Sequence, residues 1–212
     1  MLWRQHDRIV IVASGPSLSA VDPERIAATD AAIIAVNGAI EWLPRADYWF
    51  SLDTSDVNFA RMRDPVPGVV YVMACPEKWS LPPGIHRIER LAREGLQIRS
   101  ERLRPEMRGR PGLSTRTDAV HSGNSAYGAL GLAFHMRPRA IALLGVDGTD
   151  APRVEGGAPN DLGHLPMLFE TAVRQLAAAG IQVFNGSYRS RVRCFPRMSP
   201  RRALERLEQA AP

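Results

Sequence analysis

Lysine and cysteine are scarce in this chain. Of its 27 basic residues 26 are arginines, and the one lysine is Lys78. A Walker-type phosphate-binding loop, which needs a Gly-Lys-Ser/Thr step, is therefore excluded. The two cysteines, Cys75 and Cys194, are too few for a disulfide framework and form no CxxC pair of the kind that binds zinc. We expect both to be free thiols, as in a cytoplasmic protein.

Long apolar runs are also missing. No uninterrupted apolar stretch reaches the roughly eighteen residues of a membrane helix, so no membrane span is expected. The charges of Arg4, Asp7 and Arg8 and the short apolar run after them do not fit a signal peptide. The net charge of +5 allows an anionic partner, such as a nucleotide, a nucleic acid or an acidic glycan, without choosing among them.

What the chain does contain is an alternation of apolar runs and helical patterns. The runs, which end in small or polar residues, cover residues 8–13, 31–36, 48–52, 69–73, 140–144 and 181–184. Helices are predicted over residues 18–28, 125–135, 165–179 and 201–211. Residues 80–116, rich in proline and arginine, are predicted to form a loop-rich insertion or lid with a short strand at 86–88. This alternation without hairpin signals predicts a single Rossmann-like α/β domain over residues 1–212, with a doubly wound, mostly parallel sheet.

Four polar clusters follow predicted strands or precede a predicted helix. They are Ser14-Gly15-Pro16-Ser17, Asn37-Gly38, Ser122-Gly123-Asn124 and Asp147-Gly148. The carboxyl ends of parallel strands meet at one edge of a sheet, where ligands bind. Backbone amides and hydroxyls there can surround a phosphate without a lysine. The pattern favours a nucleotide site at this edge.

The order of these motifs resembles that of a known superfamily. ASGPSL at residues 13–18, VNGAI at 36–40, SLD at 51–53, HSGNSAYGALGLA at 121–133 and AIALLGVDG at 140–148 are similar to motifs of the bacterial sialyltransferases and the archaeal 6-hydroxymethylpterin diphosphokinase family. The resemblance implies that residues 14–17 contact the nucleotide phosphates and that Asn37 contacts the nucleotide or its sugar. It also implies that Ser122 and Gly123 line the donor and that Asp147 lies at the edge of the nucleotide. The nucleotide-binding residues implied are Ser14, Gly15, Pro16, Ser17, Asn37, Gly38, Ser122, Gly123 and Asp147.

The same resemblance points to a catalytic histidine. In the sialyltransferases a histidine follows the G-x-D loop, immediately before a helix and a strand like IQVFN, and here His164 has that place. An imidazole can accept a proton from an attacking hydroxyl near neutral pH, so His164 is the expected general base. The Gly-rich residues 156–163 before it are a candidate closing loop. His121, beside Ser122, is the second candidate. The sequence departs from the sialyltransferases in having no tyrosine soon after Asp147, where Arg153 is a possible substitute.

Three functions remain open from the sequence. The first is glycosyl transfer from a nucleotide-activated sugar, with a CMP-type donor favoured, to a small-molecule or glycan acceptor. The second is ATP-dependent diphosphoryl transfer of the 6-hydroxymethylpterin type, which would need Mg²⁺ held by residues such as Asp53, Asp147, Asp150 or Asp161. The third is nucleotide or glycan binding without catalysis. The segment that carries Arg189, Arg191 and Arg193 allows a nucleic-acid contact, but a solvated edge strand is favoured.

Overall fold

The computed structural model describes residues 3–77, 79–92, 109–154 and 162–210. These ranges hold an eight-stranded sheet with the order β6-β5-β4-β3-β2-β1-β7-β8, in which every neighbouring pair is parallel. The strands are β1 (Arg8–Val12), β2 (Ala32–Val36), β3 (Tyr48–Ser51), β4 (Val70–Ala74), β5 (His86–Leu91), β6 (Ala119–His121), β7 (Ala140–Leu144) and β8 (Gln182–Asn185). The predicted doubly wound α/β fold is confirmed, and the sheet is wholly rather than mostly parallel.

Helices cover both faces of the sheet. They are a 3₁₀ helix (Pro16–Ala20), α1 (Pro23–Ala27), α2 (Ala39–Trp42), α3 (Asp56–Arg63), α4 (Ser125–His135), α5 (Leu165–Ala178) and α6 (Pro200–Gln209). The helix predicted over residues 18–28 is confirmed in part, because α1 lies within it, but its first residues form a separate 3₁₀ turn. The break arises because Asp22 caps a new helix, accepting a hydrogen bond from Glu24 N at 3.0 Å. The other three predicted helices agree with the structure to within two residues.

The core has two layers, one on each face of the sheet. In β1, Ile9 and Ile11 face the layer that contains α4 and α5, while Val10 and Val12 face the layer that contains α6. Strands buried on both faces read as continuous apolar runs, which is why the sequence predicted them. Helix α4 lies close to β3, because a Cβ on Gly128 would stand 2.8 Å from the Phe50 ring.

The predicted insertion at residues 80–116 contains β5, which runs from the predicted short strand on to Leu91. Residues 93–108 of that insertion lie outside the described residues. Within the described ranges, no helix has both the length and the apolar character to cross a membrane.

Candidate functional site

A cavity of about 430 Å³ opens at the carboxyl ends of the central strands. Strand β1 lies between β2 and β7, so the order of strands reverses beside β1. Open α/β sheets bind ligands at such a switch point. Six of the residues predicted from the sequence line the cavity, namely Ser14, Gly15, Pro16, Asn37, Gly123 and Asp147. Four predicted residues do not line the cavity, although each is next in sequence to one that does: Ser17, Gly38, Ser122 and His164.

Hydrogen bonds join the turn after β1 to the end of β7 and to the loop that follows β7. Ala13 N donates to Leu144 O at 2.9 Å, and Gly15 N donates to Gly145 O at 2.8 Å. Ser17 N donates to the Asp147 carboxylate at 2.8 Å. Two amides of the turn that was predicted to bind phosphate therefore already have acceptors within the protein. The phosphate position at residues 14–17 stays a prediction.

Asp147 is the buried anion of the site. Its side chain is 2% exposed, and its Oδ2 accepts the hydrogen bond from Ser17 N. Its Oδ1 is buried and has no hydrogen-bond partner among the described residues. Because buried polar atoms are almost always paired in folded proteins, this oxygen calls for a donor that the described residues do not supply. Asp147 also lines the cavity, so a bound ligand is in a position to supply that donor.

Asn37, at the end of β2, has an unusual backbone and a fixed side chain. Its φ of 52° lies in the left-handed region, which asparagine tolerates better than most residues. Its backbone oxygen accepts from Trp49 Nε1 at 2.9 Å. Its side-chain Oδ1 accepts from Ser51 Oγ at 2.7 Å and, at 3.5 Å, from Asn58 Nδ2. Backbone and side chain are thus held from two sides.

The orientation of the Asn37 amide follows from a chain of partners behind it. Arg61 Nη1 donates to Asn58 Oδ1 at 2.7 Å, and Arg61 Nε donates to Glu41 at 2.8 Å. A guanidinium only donates, so the oxygen of Asn58 must face Arg61 and its NH₂ must face Ser51 and Asn37. The oxygen of Asn37 then faces these donors. Its NH₂ group, with two hydrogens, is left for the cavity that Asn37 lines.

Two arginines and a second carboxylate, that of Asp53, also line the cavity. Arg90 donates to Leu52 O at 3.0 Å. Arg153 lies beside the turn after β1, because its neighbour Val154 donates from its backbone N to Ser14 O at 3.1 Å. The amino end of α4, where Asn124 accepts from Ala126 N at 2.7 Å, also opens onto the cavity. A helix N-terminus and two guanidinium groups favour an anionic ligand.

His164 lies behind the cavity wall. It stands at the amino end of α5 and is 5% exposed, and its Nε2 donates to Gly123 O at 3.3 Å. Its Nδ1 is buried without a partner among the described residues. Leu162 and Leu165 on either side line the cavity, but His164 does not. The candidate closing loop before it lies mostly outside the described residues, and the role of His164 as a base stays a prediction.

His121, the second candidate base, is held away from the cavity. Its Nδ1 donates to Gly112 O at 2.7 Å, and the residue is 9% exposed. Burial is the main cause of a lowered pKa for this imidazole. Its contacts are those of a side chain that fixes the segment containing Gly112 against β6.

The aspartates considered as metal ligands and the arginine-rich segment differ in where the structure places them. Asp53 and Asp147 line the cavity, Asp150 does not, and Asp161 lies outside the described residues. Among the residues that the structure describes, no group of three or more histidine, cysteine or acidic side chains could hold a metal. For the arginine-rich segment the predicted solvation is confirmed, since Arg189, Arg191 and Arg193 are exposed, but the predicted edge strand is wrong. That segment is irregular, with Arg191 N bonded to Asp147 O at 2.8 Å.

Sequence reasoning missed Arg90, Ser51 and Asn58. Arg90 belongs to β5, of which the sequence predicted only the first residues, and Asn58 belongs to α3, which it did not predict. A signal for Asn58 existed in its spacing, because it follows the SLD strand end by five residues, within reach of one helical turn. A polar residue so placed can fold back on the strand end.

Comparison with known proteins gives no relative on which to test these roles. No protein-family model matches the chain, and neither the curated proteins nor the solved structures yield a match. The resemblance to the sialyltransferase and diphosphokinase superfamily therefore stays a prediction from motifs.

Proposed function

We propose that the protein is a nucleotide-binding transferase. In this proposal the cavity holds a nucleotide-activated sugar of the CMP type, and the sugar passes to a small-molecule or glycan acceptor. The observation that carries the proposal is the convergence of polar strand ends from distant parts of the chain on one cavity at the switch point beside β1. A volume of about 430 Å³ is within the range of small-ligand sites.

The proposed transfer needs two kinds of assistance. The acceptor hydroxyl loses its proton as its oxygen bonds to the anomeric carbon, and the bond between that carbon and the phosphate oxygen breaks. The departing phosphate keeps the electron pair, and its charge can be stabilised by Arg90, Arg153 and the amino end of α4. The proton requires a base, for which His164 is the candidate. To act, the His164 ring must turn away from Gly123 O into the cavity.

Ligand binding is the first test. A thermal-shift screen over CMP, UMP, GDP, ATP and their sugar conjugates should show stabilisation by one nucleotide class, because a ligand that binds only the folded state raises its stability. The bound conjugate is then assayed for hydrolysis and transfer in EDTA and in Mg²⁺. Sugar transfer that persists in EDTA supports the proposal. Turnover of ATP that is lost in EDTA would identify a diphosphokinase instead, and the absence of stabilisation by every nucleotide would refute nucleotide binding.

A second candidate, nucleotide binding without turnover, is favoured by the position of His164. The ring is buried, donates to Gly123 O and does not line the cavity. His164→Ala should lose about 10²- to 10⁴-fold in turnover while binding nucleotide normally if His164 is the base. His86→Ala, at an exposed position of β5, is the matched control. Binding without any turnover in the wild type would establish the second candidate.

A further inference from the structure

We infer that the cavity binds its nucleotide in one polarity, with a hydroxyl or amino group of the nucleoside donating to Asp147 and the phosphate turned toward Asn37. The inference rests on the proposed nucleotide binding and adds to it the direction in which the ligand lies. It comes from two groups of opposite hydrogen-bonding character, placed at the ends of β7 and β2 on either side of β1.

Asp147 sets the nucleoside end. The free oxygen, Oδ1, is buried, unpartnered among the described residues and part of a side chain that lines the cavity. A carboxylate oxygen accepts hydrogen bonds and cannot donate them, so its ligand partner must carry an O–H or N–H group. A sugar hydroxyl or a base amino group satisfies this requirement, whereas a phosphate dianion does not.

The same carboxylate keeps phosphate away from the turn after β1. Its Oδ2 takes the Ser17 amide at 2.8 Å, which is where an oxygen of a phosphate would otherwise lie. The Gly15 amide is also occupied, by Gly145 O at 2.8 Å. A phosphate at this turn would find two donors already used and a negative charge in contact with them.

Asn37 sets the phosphate end. Arg61 fixes the amide of Asn58, which together with Ser51 directs the oxygen of Asn37 away from the cavity. The Asn37 NH₂ is therefore a donor that can bond to an acceptor on a ligand in the cavity that Asn37 lines. Phosphate oxygens are acceptors, and Arg90, which donates to Leu52 O after β3, favours their charge on this side of β1, where the Asp53 carboxylate opposes it.

Inorganic phosphate tests the turn without any nucleotide. Millimolar phosphate is titrated into isotope-labelled protein while the backbone amide resonances of Gly15 and Ser17 are followed. In the wild type neither should move, and in Asp147→Ala the freed Ser17 amide should shift with phosphate. A wild-type Ser17 resonance that moves on titration would overturn the inference, whether or not any nucleotide binds. If Asp147→Ala does not fold, the wild-type titration decides the matter.

Paired ligands test the nucleoside end. Affinities for CMP, dCMP, UMP and cytidine are measured with the wild type, Asp147→Asn and Asp150→Asn. Asp150 is the control, because it lies in the same loop, is exposed and pairs with Arg191 at 3.5 Å without lining the cavity. Asp147→Asn should weaken both CMP and cytidine by about 10- to 100-fold, since the donor on the ligand loses a charged acceptor. Asp150→Asn should bind as the wild type does.

The ligand pairs also identify the donor. If the penalty for dCMP against CMP disappears in Asp147→Asn, a ribose hydroxyl lies on Asp147. If the penalty for dCMP persists and the preference for CMP over UMP disappears, the amino group of the base lies on Asp147. Either result supports the inferred polarity. Asp147→Asn binding CMP more tightly while cytidine is unchanged would place the phosphate beside Asp147 and overturn the inference. A wild type that binds none of these ligands refutes the proposed function, and the phosphate titration then decides the polarity of the turn alone.

Discussion

Replacement of Gly15 by alanine is the most direct test of the contact between β1 and β7. Gly15 has φ −66° and ψ 152°, an extended conformation that any residue can adopt. Its backbone therefore gives no reason for glycine. The reason is space, because a Cβ would lie 2.4 Å from Gly145 O and 2.5 Å from Asp147 Oδ2. One of these atoms is backbone, and the other is held by Ser17 N.

The cost of the substitution follows from what must move. Overpacking in a dense region typically costs about 1–3 kcal/mol. Relief requires the two loops to separate, which weakens the bonds from Gly15 N to Gly145 O and from Ser17 N to Asp147. Each such bond contributes about 1 kcal/mol or somewhat more where a carboxylate accepts. Gly15→Ala should therefore lose about 3–5 kcal/mol, a large part of the roughly 5–15 kcal/mol of a typical domain.

Urea unfolding measures this loss, and Gly84→Ala is the matched control. A Cβ on Gly84 meets nothing within 4 Å, but its φ of +82° strains any other residue. Gly84→Ala should lose about 1–2 kcal/mol from the backbone alone. The reasoning fails if Gly15→Ala is as stable as the wild type or more stable than Gly84→Ala. In that case the turn and Asp147 are not in contact as described.

Three other outcomes follow from buried groups. Burial lowers the pKa of His135, whose Nε2 donates to Ala119 O at 2.9 Å, so the folded state resists protonation. The free energy of unfolding, measured by urea titration, should fall as the pH drops from about 6.5. A His135→Gln variant whose free energy of unfolding depends on pH as steeply as that of the wild type would contradict this. Burial raises the pKa of Cys75 and raises that of Cys194 to about 11. At neutral pH both thiols of the folded protein should therefore react with an aromatic disulfide at least about tenfold more slowly than in protein unfolded by urea. Equal rates in the two states would refute this. Asn58→Ala should lower the free energy of unfolding in urea by about 1–3 kcal/mol and should weaken nucleotide binding measured by calorimetry. An unchanged nucleotide affinity would contradict the role of Asn58 in orienting Asn37.

The sequence predicted most of the sheet because its central strands are buried on both faces. Such strands appear as continuous β-branched runs, as in β1 and β2. Strand β6 was missed because it has three residues and no apolar run before it. Helix α3 was missed because its sequence, DVNFARMR, buries only Asn58 and Met62 and carries no clear amphipathic pattern. Short elements of this kind owe their structure to packing on the sheet.

The gathering of the site residues was predictable, but their hydrogen bonds were not. Parallel strands bring their carboxyl ends to one edge, so Ser14, Asn37 and Asp147 were expected together, and all three line the cavity. The bond between Ser17 and Asp147 joins residues 130 positions apart, and no local pattern indicates it. His164 was placed by its order along the chain, which gives its neighbourhood but not which way its ring points.

A glycine after the first strand of such a sheet indicates that an anion approaches the backbone closely, but it does not identify the anion. At Gly15 the approaching group is the carboxylate of Asp147, a part of the chain itself. With a small or neutral side chain at position 147 the Ser17 amide would be open to phosphate, while the Gly15 amide would still donate to Gly145 O. The turn and the strand end after β7 therefore have to be interpreted together, because the charge at position 147 decides whether the Ser17 amide binds the protein or its ligand. This dependence is why the polarity that we infer for the cavity is argued from the structure and not from the ASGPSL motif.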